Sequence, residues 1–193
     1  MPGRIVVVFL GLAALARSLI VVSTGAVADE RDAWAALVNG GHVALVRHGS
    51  APPGYGDPPG FKIDDCATQR NMDEHGRAQA RAVGEAFRQR RVPVDKILSS
   101  PLCRCLETAR LMALGPVESV MAVASSNRSP ERLPVLKQMV ADWRGPGTLV
   151  LVTHAFTVSA LVGITPEQAE IVVVRPKLDR AGIDVVGRIS TPR

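Results

Sequence analysis

Apolar residues fall along the chain in two patterns: short continuous runs, and longer segments with a helical spacing. The runs at 42–47, 94–99 and 148–153 are bounded by glycine, proline or polar residues, which predicts buried β-strands. Around them, apolar residues recur every three or four positions, which predicts amphipathic helices. We place these helices at 29–39, 73–91, 101–114, 135–143 and 155–162.

Strands that alternate with helices along a chain predict βαβ units. The fold class is therefore α/β, with three α/β/α layers and a mostly parallel central sheet. The runs 171–175 and 183–189 predict a final antiparallel pair of strands. Two segments fit neither pattern: residues 117–130, and the proline-rich stretch 50–70, whose length is typical of a lid or a binding loop.

The first residues have the layout of a secretory signal peptide. Met1–Arg4 carry a positive charge, an apolar stretch follows, and Ala26-Val27-Ala28 forms a small-x-small cleavage site. Arg17 interrupts the apolar stretch, so a membrane-spanning helix of about twenty residues fits poorly. We therefore predict a signal peptide at 1–28 and one domain at 29–193, periplasmic or secreted. An uncleaved first segment that anchors the protein in the membrane is the alternative.

The composition limits the classes of partner that we expect. The chain has 193 residues, of which 47% are hydrophobic and 21% charged, as is usual for a globular protein. The net charge of +5 falls to +3 without the predicted signal peptide, because only Arg4 and Arg17 are charged there. Aromatic residues are 4% of the chain, too few for base-stacking platforms, so we expect no nucleic-acid partner. A modest positive field favours a small anionic substrate.

The cysteines give a second indication of an oxidising compartment. Cys66 can pair with either Cys103 or Cys105, which would tie the long loop to the helix that follows. A zinc site built from the Cys-x-Cys pair and His75 is the alternative, but these spacings match no standard zinc motif. We therefore predict one disulfide and no metal.

Residues that can bind and attack an oxyanion follow three of the predicted strands. Arg47 and His48 end the first, Arg104 lies one turn into the helix after the second, and His154 follows the third. Parallel strands end at a common edge, so these side chains are expected to converge on a phosphate site, which guanidinium groups and a helix N-terminus favour. Taken singly, the histidines could be exposed turn residues and Arg104 an ion-pair partner of Glu107.

Four segments occur in an order that indicates a family. They are Val46-Arg-His-Gly49, the helix start from Asp73 to Ala80, the segment from Ser99 to Ala109, and Leu151-Val-Thr-His154. The chain resembles the histidine phosphatase superfamily, the phosphoglycerate mutase-like group, over about residues 42–160. It is more similar to the short exported members than to the mutases. The resemblance implies the α/β fold of the group and hydrolysis of phosphomonoesters without a metal or cofactor.

The resemblance also implies roles for single residues. His48 would attack phosphorus and carry the phosphoryl group as a phosphohistidine. Arg47, Arg104 and His154 would hold that group and take up its developing charge. The attack requires a neutral His48, whereas His154 is most useful as a cation.

Further residues are candidates for phosphate contacts and for protonation of the leaving group. Ser50 and Arg70 are expected to add contacts to the phosphate. Many relatives draw an acid that protonates the leaving oxygen from the segment after the third helix, where Glu131 is the candidate, with Asp64 and Asp65 of the long loop as rivals. A weak acid would favour good leaving groups such as phosphohistidine or acyl phosphates. An envelope protein that binds phosphate without turnover is the alternative function.

Overall fold

The computed structural model describes residues 30–54, 56–125, 130–179 and 182–191. The predicted signal peptide at 1–28 lies outside these ranges. Among the described residues, no helix combines the length and the apolar composition needed to cross a bilayer.

A six-stranded sheet forms the centre of the domain. In chain order the strands are β1 (Val43–Arg47), β2 (Val94–Ser99), β3 (Val117–Ser119), β4 (Thr148–Thr153), β5 (Ile171–Pro176) and β6 (Ile183–Ile189). In space they follow the order β3-β2-β4-β1-β5-β6. The first four strands are parallel to one another, β5 runs antiparallel to β1, and β6 runs antiparallel to β5. The predicted α/β class, the mostly parallel sheet and the antiparallel pair are therefore confirmed.

The strand β3 lies in a segment for which the sequence predicts no element. Its three residues pair with β2 at the edge of the sheet, and two of them are exposed. An edge strand this short buries too few apolar residues to leave a recognisable pattern.

Five α-helices among the described residues cover the two faces of the sheet. They are α1 (Glu30–Asn39), α2 (Glu74–Gln89), α3 (Cys103–Met112), α4 (Leu133–Ala141) and α5 (Ala155–Val162). The helices α1, α2 and α3 bury Leu37, Phe87 and Met112 on one face, and α4 and α5 bury Leu136 and Val158 on the other. The central strands send alternate side chains into the two cores, which is the period of a strand with two covered faces.

Two predicted helix starts are wrong. The helix α3 begins at Cys103 rather than at Pro101, because residues 100–102 first form a bend in which a serine hydroxyl accepts a backbone N–H. The helix α4 begins at Leu133, before Pro134 rather than after it. A proline in the first turn does not break a helix, because the N–H that it lacks would have no partner within the helix there.

Two glycines let the start of α2 lie directly against the turn that follows β1. A Cβ atom on Gly49 would lie 2.4 Å from the carbonyl oxygen of Gly76, and one on Gly76 would lie 2.1 Å from the carbonyl oxygen of Ser50. Asp73 caps α2 by accepting the Gly76 N–H at 2.7 Å, and its own N–H donates to the Ser50 carbonyl at 3.1 Å. Backbone contacts with α2 therefore fix the turn that carries the Arg-His-Gly segment.

Gly76→Ala should destabilise the domain, because the added methyl group would overlap backbone atoms that cannot rotate away. We expect the free energy of unfolding to fall by about 1 to 3 kcal/mol, the usual cost of overpacking. Denaturant unfolding measures this change. Gly182→Ala is the matched control, since the nearest atom to its new methyl group is in the flexible Lys177 side chain at 3.7 Å. Equal stabilities of the two variants would show that the close approach is not required.

Candidate active site

The carboxyl ends of β1, β2 and β4 form one edge of the sheet. The strand β4 lies between the other two, and its Thr153 and Val152 pair with Arg47 of β1 and Ser99 of β2. Residues that leave these three strands therefore begin at nearly the same height along the sheet. This is the arrangement in which α/β proteins bind ligands.

A small pocket of about 70 Å³ opens at this edge. Its charged and titratable lining residues are Arg47, His48, Asp57, Arg70, Arg104 and His154. A drug-sized ligand needs roughly 300 Å³ or more, so the pocket has room for one small anionic group. A larger cavity of about 700 Å³ lies at the opposite ends of the strands, lined by His42, Trp143 and Lys177 among others, and contains none of these side chains.

The surroundings of His48 keep its imidazole neutral. The residue is 4% exposed, and its Nδ1 lies 2.8 Å from the carbonyl oxygen of Gly49. A carbonyl oxygen can only accept, so Nδ1 carries the proton and Nε2 is unprotonated. Burial, followed by the charges of Arg104 and Arg47, lowers the pKa of His48 to about 3. At physiological pH the ring is therefore uncharged, as attack on phosphorus requires.

His154 lies beside His48, with the ring centroids 5.4 Å apart. It is buried, and its Nε2 is 2.8 Å from the Ser100 hydroxyl and 3.5 Å from the Cys105 sulfur. Burial, the neighbouring His48 and Arg104 lower the pKa of His154 well below its usual value. The expected imidazolium is therefore disfavoured while no phosphate is bound, because burial among arginines opposes another positive charge.

Three arginines give the pocket its positive charge. Arg47 donates from Nη1 to the Pro166 carbonyl at 2.8 Å, and Arg70 donates from Nε and Nη1 to two loop carbonyls at 3.0 and 2.9 Å. The Nε atoms of Arg47 and Arg104 are buried and have no hydrogen-bond partner among the described residues. A buried donor without an acceptor is costly. These atoms indicate that the pocket is suited to an anion.

A carboxylate also faces the pocket, and the sequence did not predict it. The Oδ1 and Oδ2 atoms of Asp57 accept hydrogen bonds from Nη1 and Nη2 of Arg104 at 2.6 and 3.3 Å. The Asp57 side chain is 1% exposed, and its Oδ1 also accepts the Arg70 backbone N–H at 3.1 Å. Asp57 belongs to the long loop that the sequence marks as a lid or binding loop. No periodicity could pair it with an arginine 47 residues further along the chain.

A disulfide fixes this loop to helix α3. Cys66 is bonded to Cys103, the residue before Arg104, which decides between the two predicted pairings. Three residues after Cys66, Gln69 accepts the Cys103 N–H at 2.9 Å through its side-chain oxygen. The loop residues around Asp57 and the helix that carries Arg104 are therefore joined both covalently and by hydrogen bonds.

The third cysteine, Cys105, is a buried thiol, and burial raises its pKa to about 12. Because Cys103 is in a disulfide, the alternative zinc set of the Cys-x-Cys pair with His75 cannot form. His75 itself is exposed in the first turn of α2. Within the described ranges, no group of three or more His, Cys, Asp or Glu residues is arranged to hold a metal ion.

Four residues that the sequence proposed for the site do not line the pocket. The Ser50 hydroxyl donates to Asp73 at 2.9 Å and so supports the cap of α2. Asp64 and Asp65 are exposed, and Asp65 caps a short 3₁₀ helix by accepting a backbone N–H. Glu131 is exposed in another 3₁₀ turn before α4. The expected contact from Ser50 and the expected acids are thus wrong for this geometry, because local turns and solvent occupy these side chains.

The family model of the histidine phosphatase superfamily (branch 1) matches residues 43–122. This range contains β1, α2, β2 and α3, with His48 and Arg104, and ends before His154. Over these residues the chain is similar to the histidine phosphatase superfamily. No curated protein sequence matches this chain significantly.

Several solved structures have the same fold as this chain. SixA of Agrobacterium tumefaciens, assigned as a phosphohistidine phosphatase, is 20% identical with a TM-score of 0.53, over 78% of this chain and 98% of that one. The protein histidine phosphatase SixA complexed with tungstate is 17% identical with a TM-score of 0.57, over 77% and 96%. A mycobacterial glucosyl-3-phosphoglycerate phosphatase with VO3 is 18% identical with a TM-score of 0.52, over 75% and 97%.

Proposed function

We propose that this protein is an exported, metal-independent phosphatase that hydrolyses phosphomonoesters or phosphohistidine through a covalent phosphohistidine on His48. The observation that carries the proposal is a buried, neutral imidazole in one small pocket with three arginines. An imidazole with an unprotonated Nε2 is a nucleophile, and guanidinium groups attract the oxyanion that it attacks.

Hydrolysis proceeds in two steps. In the first, Nε2 of His48 forms a bond to phosphorus while the bond from phosphorus to the leaving oxygen breaks. The Gly49 carbonyl accepts a hydrogen bond from the Nδ1–H and so stabilises the positive charge that develops on the ring. In the second, water attacks the phosphohistidine and releases phosphate. Arg47 and Arg104 offset the negative charge of the phosphoryl group in both steps, and one such contact contributes about 2 to 4 kcal/mol.

His154 acts as a hydrogen-bond donor to the phosphoryl group, and its charge depends on whether phosphate is bound. Burial keeps it neutral in the structure by lowering its pKa. A phosphate dianion among the arginines would offset their charge and favour the protonated ring. The pocket therefore gains positive charge when the substrate supplies negative charge.

The pocket volume limits the part of the substrate that enters. About 70 Å³ accommodates a phosphoryl group and leaves the rest of the substrate outside. A phosphohistidine on a protein and a small phosphate ester both meet this condition. Enzymes assigned to each kind of substrate, SixA and glucosyl-3-phosphoglycerate phosphatase, have the same fold.

Phosphate binding without turnover is a second candidate function. The exposure of Glu131, Asp64 and Asp65 favours it, because none of these expected acids is in the pocket to protonate a leaving oxygen. A protein of this kind would bind phosphate or vanadate and release no p-nitrophenol from p-nitrophenyl phosphate.

Turnover of p-nitrophenyl phosphate is the experiment that separates the two functions. For the phosphatase we expect release of p-nitrophenol, inhibition by vanadate, and no effect of a chelator on the rate. Rapid quenching should trap a phosphoenzyme that is labile in acid and stable in base, as a phosphoramidate on histidine is. Vanadate binding with no p-nitrophenol would favour the second function instead.

The proposed export to the periplasm or medium rests on the predicted signal peptide and is supported by the disulfide. Disulfides persist in oxidising compartments and are rare in the cytosol. The bond between Cys66 and Cys103 joins the loop of Asp57 to the helix of Arg104, so an oxidising compartment would also preserve the pocket.

Reducing the Cys66–Cys103 disulfide should destabilise the domain substantially. The bond joins residues 37 positions apart, and the chain-entropy model gives about 4 kcal/mol for a loop of that size. In a domain of this length that corresponds to a fall of roughly 10 °C in Tm. Thermal unfolding of the Cys66→Ser, Cys103→Ser double variant measures it, with Cys105→Ser as the control that keeps the disulfide. A shift below about 2 °C would show that noncovalent contacts hold the loop.

A further inference from the structure

The geometry points to Asp57 as the general acid that protonates the leaving oxygen, an inference that rests on the proposed function. Asp57 is the one carboxylate among the described residues that line the pocket. The acids proposed from the sequence, Glu131, Asp64 and Asp65, are exposed and do not line it. Transfer of a phosphoryl group from a poor leaving group requires a proton on the departing oxygen, and a side chain in the pocket has to supply it.

Asp57 and the phosphoryl group share one binding partner. The Asp57 oxygens accept from both Nη atoms of Arg104, at 2.6 and 3.3 Å. The Nε of the same guanidinium is buried with no partner among the described residues, so a donor remains for an oxygen of the substrate. Two groups bound to one planar guanidinium lie side by side. An ester held by Arg104 therefore brings its oxygens within reach of the Asp57 carboxyl group.

The carboxyl group is held in place as a proton donor has to be. The Asp57 side chain is 1% exposed, and the Arg70 backbone N–H donates to its Oδ1 at 3.1 Å. The loop is also fixed to α3 by the disulfide at Cys66 and by the hydrogen bond from the Cys103 N–H to the Gln69 side chain. A loop residue with these restraints keeps its position during the reaction, which general acid catalysis requires.

Substrate binding supplies the proton. The titratable groups that line the pocket with Asp57 are the positively charged Arg47, Arg70 and Arg104 and the neutral His48 and His154. The buried, neutral thiol of Cys105 lies outside this lining and also interacts with Asp57. These charges favour a carboxylate while no phosphate is bound. A phosphate dianion that binds Arg104 places negative charge beside it. This added negative charge raises the proton affinity of the Asp57 carboxylate, which favours uptake of a proton when the substrate binds.

The proton transfers balance over the two steps. While the bond from His48 to phosphorus forms and the bond from phosphorus to oxygen breaks, the Asp57 proton passes to the leaving oxygen, which departs as an alcohol. The Asp57 carboxylate then accepts a proton from the water that attacks the phosphohistidine. Asp57 returns to its starting form, and one water molecule has been consumed.

Asp57→Asn tests the inference over a series of aryl and alkyl phosphates with leaving groups of graded pKa. In the wild type we expect rates that depend weakly on the leaving group. The variant should hydrolyse p-nitrophenyl phosphate within about tenfold of the wild type, because p-nitrophenolate leaves without a proton, and alkyl phosphates about 10²- to 10⁴-fold more slowly. The fall in kcat at high pH that a general acid causes should also disappear for alkyl esters.

Two further variants control for charge and for folding. Asp64→Asn makes the same change at an exposed position of the same loop and should behave as the wild type. Asp57→Glu keeps a carboxyl group and should restore part of the activity on alkyl phosphates. The melting temperature of each variant reports whether the loop and the fold are intact.

Three results would overturn the assignment. The first is an equal loss of hydrolysis rate for all esters in Asp57→Asn, and the second is no loss of rate for any ester. The third is tighter vanadate inhibition as the sole effect, which would make Asp57 a competitor of phosphate. Failure of the proposed function is distinct from these. It would appear as a wild type that neither releases p-nitrophenol nor forms a phosphoenzyme, and the assignment would then fall with it.

Discussion

Replacing His48 with alanine should abolish phosphate-ester turnover and phosphoenzyme formation together. The arginines of the variant can still bind the ester, but the neutral imidazole that accepts the phosphoryl group is missing. We expect kcat/KM for p-nitrophenyl phosphate to fall by roughly 10⁴-fold or more, the size of loss seen when a covalent nucleophile is removed. Steady-state rates and quench trapping of the phosphoenzyme measure the two effects on the same preparation.

His75→Ala is the matched control for this variant. His75 is exposed in the first turn of α2, outside the pocket. Its substitution should leave the rate within about twofold and the phosphoenzyme unchanged, as is usual for an exposed residue without contacts to the site. If His48→Ala instead retained a trapped phosphoenzyme, the nucleophile would be a different residue, and His154 would be the other buried imidazole of the pocket.

The convergence of the site could be predicted from the sequence because it depends on strand direction alone. Arg47 and His48 follow one apolar run and His154 follows another, and parallel strands bring their ends to one edge. The position of Arg104 could be predicted for the same reason, because its helix starts shortly after β2 at the same edge. None of these positions depends on the conformation of a long loop.

The rest of the site depends on contacts that no local pattern encodes. Asp57 reaches Arg104 because a loop of irregular backbone is tied to α3 at Cys66. Ser50 directly follows the Arg-His-Gly segment in sequence, yet its hydroxyl donates to Asp73, the N-cap of α2. The charge of His154 is a sum of burial and several neighbouring charges, so it follows from the packed structure and not from the residue type.

The free energy of unfolding should fall steeply as the pH is lowered below about 6, because of the two buried histidines. Burial, with the pocket arginines, lowers the pKa of His48 to about 3 and that of His154 well below its usual value. In the unfolded chain each has the ordinary pKa of about 6.5. Between those limits the unfolded state binds protons that the folded state does not. Acid therefore favours unfolding throughout this window.

The expected effect is large compared with the stability of a domain. Each histidine contributes about 1.4 kcal/mol for every pH unit inside its window. From pH 6 to pH 4 His48 alone gives roughly 2.5 kcal/mol, and His154 adds a contribution of the same sign, against the 5 to 15 kcal/mol that is typical of a whole domain. Urea unfolding at a series of pH values measures it.

The variants His48→Asn and His154→Asn separate this contribution from that of the carboxylates. Protonation of carboxylates in acid also lowers the free energy of unfolding. The double variant should lose most of the slope between pH 6 and pH 4, whereas His75→Asn, at an exposed position, should keep it. An unchanged slope in the double variant would mean that the pocket histidines already titrate near their ordinary pKa. His48 would then be partly protonated near neutral pH, and its Nε2 would no longer be the unprotonated nucleophile. The acid sensitivity of the fold and the reactivity of His48 thus have the same physical cause, which is burial among arginines.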